Sequence, residues 1–126
     1  MHLTEHKPGN HYFVRAVEMH RVLIGDQYYD SSLIVGARLI ETNWPIRALS
    51  ALCPEHLSPM LSHQPELILL GAGTRQQFAS REVLGTCLQQ GVGLECMTLE
   101  AACQTFNILM SENRRVIMGL IFETSG

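Results

Sequence analysis

Residues 65–75, Pro-Glu-Leu-Ile-Leu-Leu-Gly-Ala-Gly-Thr-Arg, constrain this chain more than any other segment. The apolar run Leu67 to Leu70 is too short for a helix core and reads as a strand buried on both faces. It ends at Gly71 and Gly73, where the backbone is free to take positive φ and to approach another group closely. Exposed N–H groups of such a turn, with Thr74 and Arg75 beside them, would attract an anion. A buried strand running into a glycine turn marks an α/β layer. Two readings of the turn stand: it clears a neighbouring element, or it holds a phosphate, carboxylate or similar anion.

The second half alternates strand and helix around this segment. Ser80 is a good N-cap for a helix reaching Gln90, with Val83, Leu84, Cys87 and Leu88 expected on its apolar face and Gly91 at its C-terminal turn. A short strand over 92–97 follows. Thr98 caps a second helix, whose stripe Leu99, Ala102, Cys103, Phe106, Leu109 and Met110 faces a core. Val116 to Phe122 closes as a buried strand. Strands separated by helices predict parallel pairing. The first third is β-rich with short connections: strands over 12–17, 21–24 and 32–40, Gly25-Asp26 as punctuation, Tyr28-Tyr29 leading into a turn, and Gly36 as a candidate bulge. Pro54 fits the first turn of a short helix. Residues 46–52 are compatible with strand or helical turn. The expected fold is α/β, one three-layer domain over 11–126, with a mixed central sheet, a β-rich N-terminal layer and a C-terminal β-α-β-α-β unit. Residues 1–10 read as a flexible arm ending near Pro8-Gly9.

Composition narrows the function. A length of 126 residues suits one domain with its own core. The formal net charge of −3 argues against a nucleic-acid partner. Arg114-Arg115 is the one adjacent basic pair. None of the four cysteines forms a Cys-x-x-Cys pair, which argues against zinc or thioredoxin-like chemistry. Six histidines lie without recognisable ligand spacing, so no metal is expected. No apolar stretch approaches the roughly 20 residues of a membrane span, and the N-terminus does not read as a signal peptide. The expectation is a soluble, reduced, cytoplasmic protein.

The motifs of nucleotide and hydrolase chemistry are incomplete. Gln76 stands where a dinucleotide fingerprint requires its third glycine. A P-loop lysine is missing, and no nucleophile elbow accompanies any serine. No catalytic residue and no cofactor are therefore assigned. The candidate ligand residues are Gly71, Gly73, Thr74 and Arg75, with Asn107 at the border of the same cleft if the last helix lines it. Ile108 points away from the stripe of that helix, beside Ala101 and Glu112, and is the candidate anchor for a protein partner.

The order of Ser32-Leu33-Ile34-Val35, Trp44, Pro65-Glu66, Gly71-Ala72-Gly73, Gly93-Leu94-Glu95-Cys96-Met97-Thr98, Thr105-Phe106-Asn107 and Arg114-Arg115-Val116 resembles one family across residues 11–122. It is the domain-of-unknown-function family that includes the mitochondrial respiratory complex I assembly factor 3 and small bacterial and archaeal relatives. Phe106 takes a place where tyrosine is expected, and Asn113 one where glycine is common. The resemblance implies a three-layer α/β fold and a non-enzymatic protein that works with protein partners, such as respiratory complex subunits or their assembly factors. The competing reading is a small-molecule module or enzyme that uses the turn at 71–75.

Overall fold

The computed structural model describes residues 11–123. The arm expected over 1–10 lies outside the described residues. Among the described residues, eight strands form two sheets. The first, in order β1-β2-β3, is an antiparallel meander of Val14–Val17, Val22–Ile24 and Gln27–Tyr29. Tyr28-Tyr29 belongs to the last strand of the meander, and the chain bends at Ser31 as it leaves for the second sheet. The hairpin before it turns at Gly25, whose φ of +60° suits a tight turn.

The central sheet has the order β5-β4-β8-β6-β7. Its strands are β4 (Leu33–Val35), β5 (Ile40–Glu41), β6 (Leu67–Ala72), β7 (Gly93–Met97) and β8 (Val116–Ile121). β6 pairs in parallel with both β7 and β8, while β4 runs antiparallel to β8. The sheet is thus mixed, as the strand–helix alternation and the short early connections imply. The long strand expected over 32–40 is instead two. The Gly36 N–H donates to the Leu39 carbonyl, folding the chain back so that β5 pairs with β4. Gly36 makes a reversal, not a bulge.

Alternation along β6 and β8 sends their side chains to two cores. On one face Leu69, Met118 and Leu120 meet Phe106, Cys103 and Ala102 of helix α3 (Leu99–Ser111), with Val14, Val22 and Ile24 of the small sheet completing the layer. On the other, Ile68, Leu70, Ile117 and Ile121 are covered by Trp44, Leu57 and Met60, and by Val83 and Cys87 of helix α2 (Arg81–Gln89). Residues 46–52 resolve as irregular chain with one 3-10 turn, Leu49–Ala51, and a second such turn, Pro54–Leu57, leads into the short α1 (Ser58–Leu61). Layers on both sides of the sheet give the three-layer domain.

The caps follow local chemistry. The Ser80 and Thr98 hydroxyls accept from the N–H groups of Val83 and Ala101, each at 3.2 Å. Gly91 has φ +68° and Asn113 φ +59°, just beyond the ends of α2 and α3. Asparagine is the non-glycine residue best suited to that left-handed position, which accounts for Asn113 where glycine is common. One expectation for α2 fails. Val83 and Cys87 are buried, but Leu84 and Leu88 are 44% and 70% exposed. The cover on this face is shared with Trp44 and the 3-10 turns, so α2 needs only a narrow buried stripe.

Two contacts fix the sheet against its covers. The Trp44 indole lies over Gly119 of β8, with Nε1–H donating to the His56 carbonyl at 3.1 Å. A Cβ at Gly119 would stand 2.6 and 2.7 Å from two carbons of that ring. Gly119→Ala is expected to cost about 1–3 kcal/mol by overpacking. Trp44 is the chain's one tryptophan, so denaturant melts followed by its fluorescence read this directly, and an unchanged midpoint would show that the ring is loosely seated.

The starts of β6 and β8 are tied by Glu66. Its Oε1 accepts from the Arg115 backbone N–H at 2.9 Å and from Arg114 Nε at 3.0 Å. The Arg115 N–H, then the Arg114 guanidinium, hold the Glu66 carboxyl below its ordinary value of 4.5. A depressed carboxylate contributes stability that is complete above that value and is lost as pH falls through the lower folded one. The denaturation midpoint should therefore decline below pH 4.5 less steeply in Glu66→Gln than in the parent chain. Parallel curves would remove Glu66 from the acid response.

Candidate functional site

After β6 the chain passes to α2 on one face of the sheet, and after β7 to α3 on the other. Where neighbouring parallel strands send their connections to opposite faces, a crevice opens at their carboxyl ends. Here it is bounded by Gly73 to Gln77 and by Cys96 to Thr98. Gly73 has φ +64°, as its place in a tight turn demands. Gln76 Nε2 donates to the Cys96 carbonyl at 2.8 Å and to the Gln77 carbonyl at 3.0 Å, pinning the turn to the end of β7. Two open clefts flank the turn. One of about 810 Å³ is lined by His20, Gly73, Thr74, Arg75, Gln77 and Glu123 among others. The second, about 520 Å³, lies between Val17 to Met19 and the first turn of α3.

Of the residues expected to bind a ligand, Gly73, Thr74 and Arg75 line the larger cleft together. Gly71 and Asn107 do not join them. Gly71 lies inside β6, buried and in register with Met97 and Leu120 on its two neighbours. A Cβ there would stand 2.7 Å from the Ala102 Cβ and 3.0 Å from Leu120, so this glycine lets α3 approach the sheet. Asn107 is buried on the core side of α3. Its Oδ1 accepts from the Val14 N–H and its Nδ2 donates to the Val14 carbonyl, both at 2.8 Å. Both polar atoms of the carboxamide hold β1, because that strand's backbone needs partners once it is out of water. Ile108 is 52% exposed on the outer face of α3.

The electrostatics of the crevice are mixed. Arg75 shares the larger cleft with Glu123, whose Oε1 accepts from Gln77 Nε2 at 3.2 Å and whose Oε2 accepts from the Leu49 N–H at 3.4 Å. That carboxylate lies 2.9 Å from where a Gly73 Cβ would project. Glu18 and Glu100 line the neighbouring cleft. The first turn of α3 is also committed. The Leu99 N–H donates to the Gly73 carbonyl and the Ala101 N–H to Thr98. Glu123, Gln76 and Gln77, which organise this end, were not legible as site residues, since their partners lie far off in sequence. Burial pushes the thiols of Cys87, Cys96 and Cys103 up, so these are poor sources of thiolate. Among the described residues, no group of three or more His, Cys, Asp or Glu could hold a metal ion, and no helix is long and apolar enough to cross a membrane.

Comparison with known proteins places this architecture. Residues 14–121 match the model of a family described as "Protein of unknown function (DUF498/DUF598)". A solved Xanthomonas campestris protein is 38% identical and superposes with a TM-score of 0.82 over 100% of this chain and 98% of its own. A Bordetella pertussis protein described as a Mth938-like domain, 22% identical over 99% of this chain and 95% of its own, shares the fold at a TM-score of 0.81. The "13 kDa major membrane protein" of Francisella tularensis is 29% identical over 92% of this chain and 95% of its own length. The zebrafish (Danio rerio) protein named "NADH dehydrogenase [ubiquinone] 1 alpha subcomplex assembly factor 3" is 34% identical over 66% of this chain. The match spans 49% of that longer protein.

The Asn107 clip has a measurable consequence. Asn107→Leu removes both bonds to Val14 and leaves a buried N–H and C=O unpaired. It is expected to cost about 2–6 kcal/mol, at roughly 1–3 kcal/mol for each such group. Equilibrium unfolding checks this, and a loss under about 1 kcal/mol would mean that water reaches Val14.

Proposed function

The chain belongs to the DUF498/DUF598 family of proteins of unknown function, and we propose that within it the chain acts as a non-enzymatic assembly or accessory factor for a respiratory, complex I-like complex. The observation that carries this reading is its kinship with vertebrate proteins named as complex I assembly factors. The chain spans about half the length of those relatives, 49% and 55% in the two cases. On this reading the shared domain supplies the partner-binding surface.

The surface chemistry supports that role. Ile108 projects from α3 directly away from the core, and its exposure leaves an aliphatic side chain for a partner to bury. Phe78, Leu84 and Leu88 expose a second set of large apolar groups on and beside α2, with Phe78 80% exposed. Scattered apolar residues are ordinary on a surface, whereas those gathered on one element mark interaction sites. The glycine turn is read as part of the scaffold, because Gln76 ties it to the Cys96 carbonyl and the Gly73 carbonyl accepts from the Leu99 N–H at the start of α3. A partner in a membrane complex is compatible with a relative being named a membrane protein.

Tagged protein purified from its own respiring cells should enrich complex I subunits or their assembly proteins over a tag-only control. Ile108→Glu should abolish that enrichment while leaving the unfolding temperature unchanged. Enrichment that survives the substitution would remove α3 from the interface, and the absence of complex I proteins with the parent chain would overturn the reading.

A further inference from the structure

β7 is an outer strand of the central sheet, and it lacks the lysine, proline or bulge that commonly keeps such an edge from pairing. The Gly93 N–H donates to the Glu66 carbonyl, which sets the alternation of the parallel ladder. Gly93, Glu95 and Met97 bond inward to β6, and Leu94 and Cys96 turn their backbone groups outward. Gln76 takes the Cys96 carbonyl. Among the described residues, the Leu94 N–H and C=O and the Cys96 N–H have no hydrogen-bond partner. An apolar shelf overlooks this edge. Val83 and Cys87 face the sheet. In a right-handed crossover from β6 to β7, the residue after each of them turns toward the outer side of β7. Those residues are the exposed Leu84 and Leu88. The exposed Phe78 stands in the loop whose Gln76 bonds to Cys96. On its other flank α2 meets the Pro54–Leu57 turn.

We propose that this edge and its shelf dock a second copy of the chain, by antiparallel pairing of the two β7 strands about a two-fold axis at Leu94. Such a contact requires a patch complementary to itself. In this register Leu94 exchanges N–H and C=O bonds with Leu94 of the second copy, and the Cys96 N–H meets the second copy's Val92 carbonyl. The remaining groups, the Val92 N–H and the Cys96 carbonyl, are already bonded within each chain, to the Cys87 carbonyl and to Gln76. Charge selects the register. Glu95 comes opposite Gly93, whereas an axis at Glu95 would set two carboxylates face to face. With strands about 4.8 Å apart and α2 over the β6–β7 pair, the two copies of α2 lie on one face about 10 Å apart, at helix contact distance. They run antiparallel, so Leu84 of one meets Leu88 of the other. Phe78, Leu84 and Leu88 expose on the order of 350 Å² in each copy, near half of the ~800 Å² per partner of a stable interface. The strand edge adds to that area. A lone extended peptide would satisfy the edge but bring no helix to cover the leucines. The surface lies across the sheet from α3, and the proposal does not depend on the assembly reading tested at Ile108.

Sedimentation equilibrium of the full-length chain reads the association, and amide hydrogen exchange followed by NMR reads where it occurs. The parent chain is expected to reach twice its monomer mass with a dissociation constant below about 100 μM. The Leu94 and Cys96 amides, which have no acceptor within the chain, should gain protection as the dimer forms. Leu84→Lys/Leu88→Lys sets like charges across the axis. It should weaken association at least about hundredfold while the chain stays folded. Ile108→Glu should leave association unchanged. If the lysine variant fails to fold, exchange at Leu94 and Cys96 in the parent chain still decides the matter. A parent chain that stays monomeric up to that concentration overturns the proposal, whether or not an added strand peptide fills the edge. So does a dimer in which the Leu94 and Cys96 amides exchange as fast as in the dilute monomer. A folded lysine variant that associates as well as the parent has the same consequence.

Discussion

The β6–β8 pair has no face that water can reach. From Ile68 to Ala72 and from Val116 to Ile121 every residue is buried, so the chain must supply a cover for each side of one parallel pair. A parallel pair cannot be closed by a tight hairpin and needs a crossover. The chain uses two crossovers on opposite faces. α2 alone does not cover its side, and the long connection through Trp44 and the 3-10 turns fills the remainder. α3 alone does not cover the other, and the meander of β1 to β3 closes around it. Both cores, the position of the crevice and the mixed sheet order follow from that one requirement.

How close the covers come is set by side chains that are absent. Gly71 admits Ala102, and Gly119 admits the Trp44 ring. A methyl at either point would push a whole layer outward and open the core beneath it, where interiors are packed near crystal density. Polar closure is equally specific. Asn107 carries the bonds of β1, and Ser32 Oγ accepts from the Phe122 N–H at 3.0 Å. No described side-chain nitrogen or oxygen that is buried lacks a partner. The sheet edges and layers are thus locked by a few groups whose partners lie some ninety residues away in sequence.

That distance explains what could be read in advance. Periodicity and caps are local, and they announced β6, α2, α3 and β8 together with the roles of Ser80, Thr98 and Gly91. Gly36 reads as a bulge because an isolated glycine in an apolar run signals one, and the reversal shows only in the pairing of β5 with β4. Leu84 and Leu88 were placed in the core because the stripe width of α2 depends on how much of the face Trp44 has already taken. Gly71 and Asn107 read as ligand residues, whereas the structure places one against Ala102 and the other on the backbone of Val14. A glycine after a strand and an amide on a helix look alike whether they meet a ligand or a neighbouring element, and only the third dimension separates the cases. Arg114 and Arg115 are exposed at the start of β8, and the reversal at Gly36 brings Arg38 to the groove that they line, a proximity that no local pattern announces.

The inner and outer faces of α3 therefore answer to different demands. Leu99, Ala102, Cys103, Phe106 and Met110 belong to the core that α3 forms with the two sheets, and Asn107 clips the helix to β1 of the small one. Ile108 has no share in those contacts. A substitution there alters what the surface offers a partner while leaving the cores as they were, since surface changes away from such features shift stability by only about 0.5 kcal/mol. A scaffold with its structural obligations confined to one side of a helix can vary its partner face at little energetic cost. The crevice at the carboxyl ends of the strands is built differently: Gln76 and Gln77 bond to the ends of β7 and β6, while Thr74 and Arg75 stay exposed at its lip. Change is thus physically easiest on the outer face of α3, where no core contact has to be remade.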